Sequence, residues 1–450
     1  MTKFFNKEEI NNIAKETGFI KREREITGWN FLLAFTIGLF HLEKNTLNNL
    51  ALLMCKVFAI SMTKQSLHDA TTKGSSEEFL KKCFERSLQK SIGNVKIGIE
   101  KLAFFAACFI IDSTNGQLHP ALAKYFKGSG GSASKAGFRI QFVFDFLHGI
   151  CEKLEIGDSK LSDAGFLGSL LKDKVVEKAL YMFDLGYFKI SHFVEIAKAG
   201  AYFISRLKIG ITLCLPSGEA FKLEDYLKKV KGNISETLVV MTNQAREKIQ
   251  VRLICIRVPQ KIADERRREE KAKAKKKGQN ISEAKLRLLD WNLFITNVPA
   301  DILQAEEVGI IYKIRWQCEL IFKTWKSLLK LQCLNTAKKE RVYCELYGKL
   351  IVAVLLTNMS TILTIALMPE KEISPFKLIK MIQDYALDWL RQVNQGIFSH
   401  IKFFKDNIPL FEKYCYKEEN KKKKTTITLI DNLNDKSKCQ FSTSSCKMVA

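Results

Sequence analysis

The pattern of apolar and polar residues changes along the chain, and each pattern predicts a different kind of element. Residues 1 to about 100 carry apolar residues at helical spacing. Residues 101–208 hold short continuous apolar runs, typical of strands buried on both faces, with helical segments between them. Residues 209–290 combine strand-like segments with a highly charged helix, and residues beyond 340 are helical again. We therefore expect an α/β chain with helical regions near both ends.

Two of the apolar runs end in an acidic residue. Residues 102–112 (LAFFAACFIID) and 179–184 (ALYMFD) are apolar up to their last position. In open α/β sheets, ligands bind at the carboxyl ends of the strands. A buried carboxylate is costly unless it is paired or binds a metal. Asp112 and Asp184 are therefore candidates for one shared site.

Residues 311–331 (IYKIRWQCELIFKTWKSLLKL) predict a helix with two contrasting faces when drawn at about 100° per residue. The apolar face, expected in the core, holds Ile314, Ile321, Trp325, Leu328 and Leu329. The opposite face holds Tyr312, Arg315, Glu319, Lys323, Lys326 and Lys330. A solvated helix face normally mixes both signs of charge along its length. One acid among four cations instead suits a metal-binding carboxylate flanked by groups that bind phosphates.

The N-terminal region contains two helical segments joined by a short break. The first covers residues 48–58, and Ser61 or Thr63 is placed to cap the second. The exposed residues of the second helix would be Lys64, Gln65 and His68. This arrangement resembles a helix-turn-helix, but generic helical hairpins with this pattern are far commoner.

The charge of the chain indicates a polyanionic partner. It has 72 Lys and Arg against 48 Asp and Glu, which gives a net charge of +24 and a pI near 9.4. Such an excess favours nucleic acid first and an anionic membrane second. A basic globular protein without such a partner is the remaining interpretation. The Gly/Ser/Lys-rich residues 124–137 lack the Gly-Lys-Ser/Thr of a P-loop and predict a basic hairpin connection.

The cysteine pattern and the hydropathy predict a cytoplasmic protein. The twelve cysteines form no CxxC pair, and the six histidines offer no zinc spacing. This usage favours reduced thiols over a disulfide framework. Residues 350–368 are long and apolar enough for a membrane span, but their centre carries Thr357, Asn358 and Ser360. We interpret them as a buried helix and expect no membrane; a membrane-surface protein is the alternative.

Three carboxylates, Asp112, Asp184 and Glu319, could together bind two divalent cations. Without metal, unit charges about 4 Å apart at an effective dielectric of about 20 repel by about 4 kcal/mol. Ligands that are all oxygen favour Mg²⁺ or Mn²⁺ over zinc. Two Mg²⁺ ions, which Mn²⁺ could replace, would support an in-line phosphoryl displacement.

The same residues carry a resemblance to a known family. Tyr312, Arg315, Glu319 and Lys326 match the Tyr-x2-Arg-x3-Glu-x6-Lys signature of the insertion-sequence-4 family of DDE transposases. The residues around Asp112 (IDST) and Asp184 (FDLGYF) resemble the family's two aspartate motifs, and Ser205-Arg206 resembles its next strand. The similarity covers about residues 45 to 370.

The resemblance implies a ribonuclease-H-like catalytic core with a β-rich insertion and helical N-terminal and C-terminal regions. By matching position, the metal ligands would be Asp112, Asp184 and Glu319. The residues that hold DNA phosphates near a flipped base would be Tyr312, Arg315 and Lys326, with Lys323 on the same helix face. Trp291 would stack where that base leaves the duplex, although a core role is as plausible in its apolar strand. Arg206 would bind DNA or brace the acids.

The domain organisation predicted from these features has six parts. They are a helical DNA-binding region (1–100), the first part of the core (101–208), the β-rich insertion with its charged helix (209–290), the second part of the core with the catalytic helix (291–340), a helical region suited to dimerisation (341–410) and a basic flexible tail (411–450).

The expected activity is DNA transposition. Such a protein would bind the terminal inverted repeats of an insertion sequence, pair two ends as a homodimer in a synaptic complex, and join them to target DNA. It would work at the nucleoid of a prokaryotic cell. Two alternatives remain open: a Mg²⁺-dependent nuclease without strand transfer, and a catalytically inactive transposase-derived DNA-binding protein.

Overall fold

The computed structural model describes residues 4, 6–22, 25–89, 100–130, 135–332, 334, 336–367 and 373–416. Within them the chain is a mixed α/β protein, as its apolar pattern predicts. The helices are α1 Lys7–Glu16, α2 Gly28–Leu33, α3 Leu39–His41, α4 Leu47–Phe58, α5 Lys64–Thr71, α6 Gly74–Gln89, α7 Asp163–Asp173, α8 Ile190–Lys198, α9 Leu223–Lys229, α10 Gln260–Lys276, α11 Glu283–Leu288, α12 Ala305–Tyr312, α13 Trp316–Leu328, α14 Lys339–Leu367, α15 Pro375–Asp384, α16 Ala386–Gln395 and α17 Ile397–Tyr414. The strands are β1 Cys108–Leu118, β2 Ala136–Asp145, β3 Ile150–Asp158, β4 Leu180–Phe183, β5 Tyr202–Arg206, β6 Leu213–Cys214, β7 Ala220–Phe221, β8 Ile234–Thr242, β9 Lys248–Arg257 and β10 Trp291–Thr296.

The chain divides into two compact units. The first unit consists of the described residues within Met1–Ile97, Ser113–Leu161 and Glu319–Lys417. The second consists of those within Gly98–Asp112 and Ser162–Cys318. The basic tail expected over 411–450 lies outside the described residues from 417 onward.

A sheet organises the second unit. Its strand order is β1-β4-β5-β10-β9-β8-β6-β7, in which β1, β4 and β5 are parallel and the pairs from β5 to β7 are antiparallel. Every residue of β4 and of β10 is buried. Strands covered on both faces are apolar throughout, which is why continuous apolar runs predicted them.

Strand β1 differs from its prediction in both bounds. It begins at Cys108 rather than near residue 102, because residues 100–107 form a short helical turn and loop in which Phe104 is exposed. It also continues past Asp112 to Leu118. Its first four residues are all buried, whereas burial alternates from Thr114 to Leu118. Asp112 therefore marks the point where β1 stops pairing with β4, not the end of the strand.

Residues 209–290 contain β6 to β9 and helices α9 to α11. The long antiparallel pair β8–β9 is the main part of this segment. The charged helix α10 forms ion pairs within itself and with α11. Arg267 pairs with Asp264 of the same helix at 3.0 Å, and Glu270 pairs with Lys285 of α11 at 2.7 Å. The mixed signs therefore mark a solvated, ion-paired helix.

The apolar helix α14 is a core helix of the first unit. The window Lys339–Ser360 has a mean hydropathy of 1.3, enough for a membrane span, but 94% of it is buried in the protein. It packs on α6 and on the π-helical turn Ala34–Gly38. The prediction of a buried helix is confirmed for this window, so the segment gives the membrane-surface alternative no support.

The N-terminal helical pair is observed as α4 and α5. Thr63 caps α5, because its side chain accepts a hydrogen bond from the backbone N–H of Ser66. Lys64 and Gln65 are exposed and His68 is half-buried. Thr63 rather than Ser61 is therefore the cap.

The C-terminal region is helical, as the sequence pattern predicts. Residues 376–404 span three helices, α15 to α17. The first break falls at Tyr385, and the second at Gly396, whose φ of 132° is incompatible with a helix. Hydrophobic periodicity continues across such breaks, so it did not reveal them.

Gly348 of α14 gives a test of the packing in the first unit. A Cβ at this position would overlap the backbone carbonyl oxygen of Phe35. We expect Gly348→Ala to destabilise the protein by about 1–3 kcal/mol, the usual cost of overpacking a core. Gly74→Ala, in α6 where no atom lies within 4 Å, is the matched control and should be neutral or stabilising. Urea unfolding measures both; equal unfolding midpoints for the two variants would contradict this packing.

Candidate active site

Three neighbouring parallel strands place charged residues in one row. Ile111 of β1 pairs with Phe183 of β4, and Phe183 pairs with Ser205 of β5. The next residues along these strands are Asp112, Asp184 and Arg206. Neighbouring strands lie about 4.8 Å apart, so the register brings two carboxylates and a guanidinium side by side. The prediction that the two aspartates share one sheet edge agrees with this register.

Arg315 provides a counter-charge to the first aspartate. Its Nη1 donates to Oδ2 of Asp112 at 2.9 Å, and the two side chains are only 16% and 14% exposed. Screening by water is weak at such burial, so the charge-assisted hydrogen bond contributes about 1.5–3 kcal/mol. Arg315 thus lowers the electrostatic cost of holding Asp112 ionised next to Asp184.

Tyr312 lies beneath this row. Its hydroxyl donates to the backbone carbonyl of Phe183 at 3.1 Å, one residue before Asp184, and its side chain is buried. The Arg315 guanidinium lies 5.7 Å from the centre of its ring. Burial raises the pKa of Tyr312 to about 12, with Asp184 acting in the same direction and Arg315 and Arg206 against it. Tyr312 therefore interacts electrostatically with Asp184, Arg206 and Arg315.

The carboxylate of Asp184 is oriented by its own turn. Its Oδ1 accepts the backbone N–H of Gly186 at 2.8 Å, which begins the short helical turn Leu185–Tyr187. A further acid, Asp163 at the start of α7, lies nearby. A Cβ built on Gly186 would lie 2.9 Å from Oδ2 of Asp163 and 3.1 Å from Oδ1 of Asp184, so both carboxylates border the same glycine. Sequence reasoning missed Asp163, because an acid in the first turn of a helix is commonplace.

The helix predicted over residues 311–331 is not continuous. Helix α12 ends at Tyr312, a 3₁₀ turn follows at Lys313–Arg315, and α13 begins at Trp316. Tyr312 is buried instead of lying on a solvated polar face. The polar setting expected for Tyr312 is therefore corrected, although its ring still lies one turn from Arg315, whose guanidinium is 5.7 Å from the ring centre. Residues three apart are in line across a 3₁₀ turn, so Tyr312 and Arg315 remain neighbours there.

On α13 itself the two predicted faces are present. Trp325, Leu328 and Leu329 are buried, and the Trp325 ring lies 5.1 Å from that of Phe142. Ile321 is only half-buried. On the polar face, Lys323 is exposed while Glu319 and Lys326 are half-buried. These three residues belong to the first unit, whereas Asp112 and Asp184 belong to the second.

Polar side chains of the first unit hold the end of α13. Gln383 donates to the carbonyl of Leu328 at 3.0 Å, and Lys349 donates to the carbonyl of Lys330 at 2.7 Å. Lys349 is buried in α14 one turn from the buried acid Glu345. Burial raises the pKa of Glu345, while Lys349 and Arg341 act against this rise. Sequence reasoning missed Lys349 and Gln383, because their partners are backbone carbonyls distant in sequence.

Trp291 and Arg206 occupy different settings. Trp291 opens β10 and is 5% exposed, and the Arg257 guanidinium lies 4.4 Å from the centre of its ring. Trp291 is therefore a buried residue of the core in this structure. Its stacking on a flipped base stays a prediction. Arg206 is half-buried at the end of β5, next to Asp184 in register.

The donor set of the row suits a hard cation. Asp112 and Asp184 offer carboxylate oxygens, the ligands that Mg²⁺ and Mn²⁺ prefer. Among the residues that the structure describes, no three or more His, Cys, Asp or Glu side chains are grouped as a metal site. Of the three acids predicted to form one site, Asp112 and Asp184 lie in the second unit and Glu319 lies in the first.

Comparison with known proteins identifies the class. The family described as "Transposase DDE domain" matches residues 103–355, more than half of the chain. The chain therefore belongs to the DDE transposase family, which confirms the resemblance inferred from its signature.

Particular relatives are transposases of insertion sequences. The chain is 31% identical over 399 residues to the transposase of element IS231B from Bacillus thuringiensis subsp. berliner, covering 84% of this chain and 82% of the relative. It is 30% identical over 449 residues to that of IS1151 from Clostridium perfringens, covering 95% and 94%. A solved piggyBac transposase synaptic complex with hairpin DNA aligns with 91% of this chain and 83% of its own, at 12% identity and a TM-score of 0.43. That score is too low to establish a shared fold.

The buried hydroxyl of Tyr312 predicts a pH effect on stability. Folding favours the neutral phenol, because burial raises its pKa from 10.0 to about 12. This contribution is fully present below pH 10 and is lost as the pH rises to about 12. Below pH 10 we expect the unfolding free energy of Tyr312→Phe to be about 1 kcal/mol lower than that of the wild type, because the variant lacks the hydrogen bond. Between pH 10 and about pH 12 its unfolding free energy should fall less than that of the wild type. Urea unfolding at several pH values measures this, with Tyr414→Phe, at an exposed position, as control. Parallel pH profiles for wild type and Tyr312→Phe would refute it.

Proposed function

We propose that this protein is the transposase of an insertion sequence, which binds the element's terminal inverted repeats, cuts the DNA there and joins the new 3′-hydroxyl to target DNA. The observation that carries the proposal is the in-register pair Asp112 and Asp184, with Arg315 bound to the first, in a chain of the DDE transposase family. We also infer a ribonuclease-H-like core; the parallel strands β1, β4 and β5 support it.

Asp112, Asp184 and Glu319 would hold two Mg²⁺ ions, for which Mn²⁺ could substitute. The carboxylate chemistry of the three residues fits these ions. When bound, the ions would activate the attacking oxygen and stabilise the leaving oxygen of an in-line displacement. The side chains themselves set the geometry: Asp184 is fixed by the N–H of Gly186, and Asp112 by the guanidinium of Arg315.

The cations around the acids would bind the DNA phosphates. Lys323 and Lys326 lie on the polar face of α13, and Arg206 lies beside Asp184. Arg315 can exchange its hydrogen bond with Asp112 for one with a phosphate, since both partners are anionic oxygens. Because Tyr312 is packed and its hydroxyl holds Phe183, we propose that it acts on DNA by positioning Asp184 and Arg315. Trp291 would stack on a flipped base only after Arg257 leaves its ring.

The partners follow from the same proposal. Two copies of the chain would pair two element ends in a synaptic complex, at the nucleoid of the cell. The net charge of +24 supports DNA as the partner. Affinity for DNA should then fall steeply as the salt concentration rises, because bound phosphates release counterions.

Strand transfer by the purified protein tests the proposed reaction. DNA carrying the repeats that flank the gene would be incubated with Mg²⁺ and target DNA. We expect joined products with the wild type and at least about a hundredfold fewer with Glu319→Gln, which keeps the shape of the side chain but weakens a metal ligand. Binding to the repeats should persist in this variant, since the charge of its DNA-binding cations is unchanged.

Glu78→Gln, at an exposed position of α6, is the matched control and should join DNA like the wild type. Cleavage without joined products would favour the nuclease alternative. Binding without cleavage, in Mg²⁺ and in Mn²⁺, would favour the inactive DNA-binding protein.

A further inference from the structure

A polar cleft in the second unit lies between helices α7 and α8. Its volume is about 320 Å³, whereas one water molecule in the liquid occupies about 30 Å³. Pockets that hold drug-sized ligands begin at about 300 Å³, so the cleft can take a small organic molecule. The polar side chains that line it are Ser169, Lys172, Lys189, Ser191, His192 and Glu195.

His192 presents a hydrogen-bond acceptor at this cleft. Its side chain is buried, and its Nδ1 lies 3.2 Å from the backbone carbonyl oxygen of Tyr187. A carbonyl oxygen can only accept, so the ring proton is on Nδ1. Burial lowers the pKa of His192, which keeps the ring neutral at pH 7 and leaves Nε2 as an acceptor. A Cβ on Gly168 would lie 3.2 Å from Nε2, so this nitrogen faces α7.

Glu195 adds a carboxylate one helical turn from His192. The two residues are three apart on α8 and therefore lie on the same face of the helix. The charge of Glu195 acts against the lowered pKa of His192, so the two side chains interact. Oε2 of Glu195 is buried, and no group in the described part of the chain forms a hydrogen bond with it. A buried carboxylate oxygen is costly unless it accepts a hydrogen bond or pairs with a cation. Together the two acceptors favour a ligand that brings N–H donors.

Two lysines line the same cleft. Lys172 belongs to the last turn of α7, and Lys189 is the residue before α8. Both side chains are exposed. They place two positive charges beside the two acceptors, which suits an anionic group on the same ligand.

A metal ion fits this arrangement less well than an organic molecule. A histidine whose Nδ1 donates to a carbonyl has the orientation of a metal ligand. However, zinc sites in proteins use about three or four protein ligands. In the part of the chain that the structure describes, no group of three or more His, Cys, Asp and Glu residues could hold a metal ion. The charges of Lys172 and Lys189 would also repel a cation.

We infer that this cleft binds a small organic molecule that carries both an amino group and an anionic group. The amino group would donate to Glu195 and His192. The anionic group would pair with Lys172 and Lys189. Amino acids and adenine nucleotides share this chemistry, so the two sources are distinguished by experiment. Binding at the cleft does not rest on the proposed function.

A bound ligand would also strengthen the turn that follows β4. His192 holds the carbonyl of Tyr187, the last residue of the turn Leu185–Tyr187, which Asp184 caps. A donor on Nε2 polarises the ring and so strengthens the hydrogen bond from Nδ1. Within the turn, the N–H groups of Tyr187 and Phe188 donate to the carbonyls of Asp184 and Leu185, both at 3.3 Å. The ligand should therefore slow hydrogen exchange at these two amides.

Isothermal titration calorimetry of the full chain tests the inference with two separate probes, L-glutamate and adenosine monophosphate. We expect at least one of them to bind with a dissociation constant below about 1 mM. Glu195→Gln replaces one acceptor oxygen with a donor and should weaken this binding by about tenfold or more, because hydrogen bonds to charged groups are the strong ones. Glu219→Gln, at an exposed position of the β6–β7 turn, is the matched control and should bind like the wild type.

A second variant covers the case in which Glu195→Gln fails to fold. Lys172→Ala with Lys189→Ala changes two exposed side chains and should weaken binding to a similar degree. Lys229→Ala with Lys248→Ala, also at exposed positions, is its control and should bind normally. Hydrogen exchange at residues 187 and 188 should slow when the probe is added to the wild type, and should not change in the two cleft variants.

Three results would overturn the inference. They are the absence of binding by both probes up to about 1 mM, equal binding by the wild type and both cleft variants, and binding of Zn²⁺ alone that depends on Glu195. The last of these would replace the organic ligand by a metal ion. None of them bears on strand transfer, so the proposed function is tested separately.

Discussion

The register of β1, β4 and β5 is the constraint on which the rest of the site depends. It sets Asp112 beside Asp184 at the spacing of neighbouring strands, about 4.8 Å. Two like charges at that separation repel by about 3 kcal/mol at an effective dielectric of about 20. Arg315 on Asp112 and Arg206 next to Asp184 offset part of this repulsion. The row thus combines two carboxylates with two guanidinium groups.

The first unit fixes the helix that carries the third acid. Helix α13 buries Trp325 against Phe142 and is held at its end by Gln383 and Lys349. Burying Lys349 and Glu345 costs free energy that apolar side chains of the same size would not. The cost is offset in part because Lys349 satisfies the carbonyl of Lys330. The orientation of Glu319 thus depends on the packing of the first unit as much as on the sequence of α13.

Several features could be predicted from the sequence because their cause is local. A run of apolar residues predicted β4 and β10, and a threonine before a helical segment predicted the cap of α5. The Tyr-Arg-Glu-Lys spacing predicted the family, which the relatives confirm. Local patterns failed at the late start of β1 and at the 3₁₀ turn before α13.

By itself, the sequence determined the family, because the family depends on residue identity and spacing. It also predicted the two aspartates and the acid of α13 as the site. Only the tertiary structure decided which groups meet. It buried Tyr312 with its hydroxyl on the carbonyl of Phe183, paired Arg315 with Asp112, and placed Asp163 near Asp184. It also brought Gln332 to the backbone carbonyl of Asn115. The physical reason is that hydrogen bonds and ion pairs depend on distances in space, and strand register sets those distances between residues far apart in sequence.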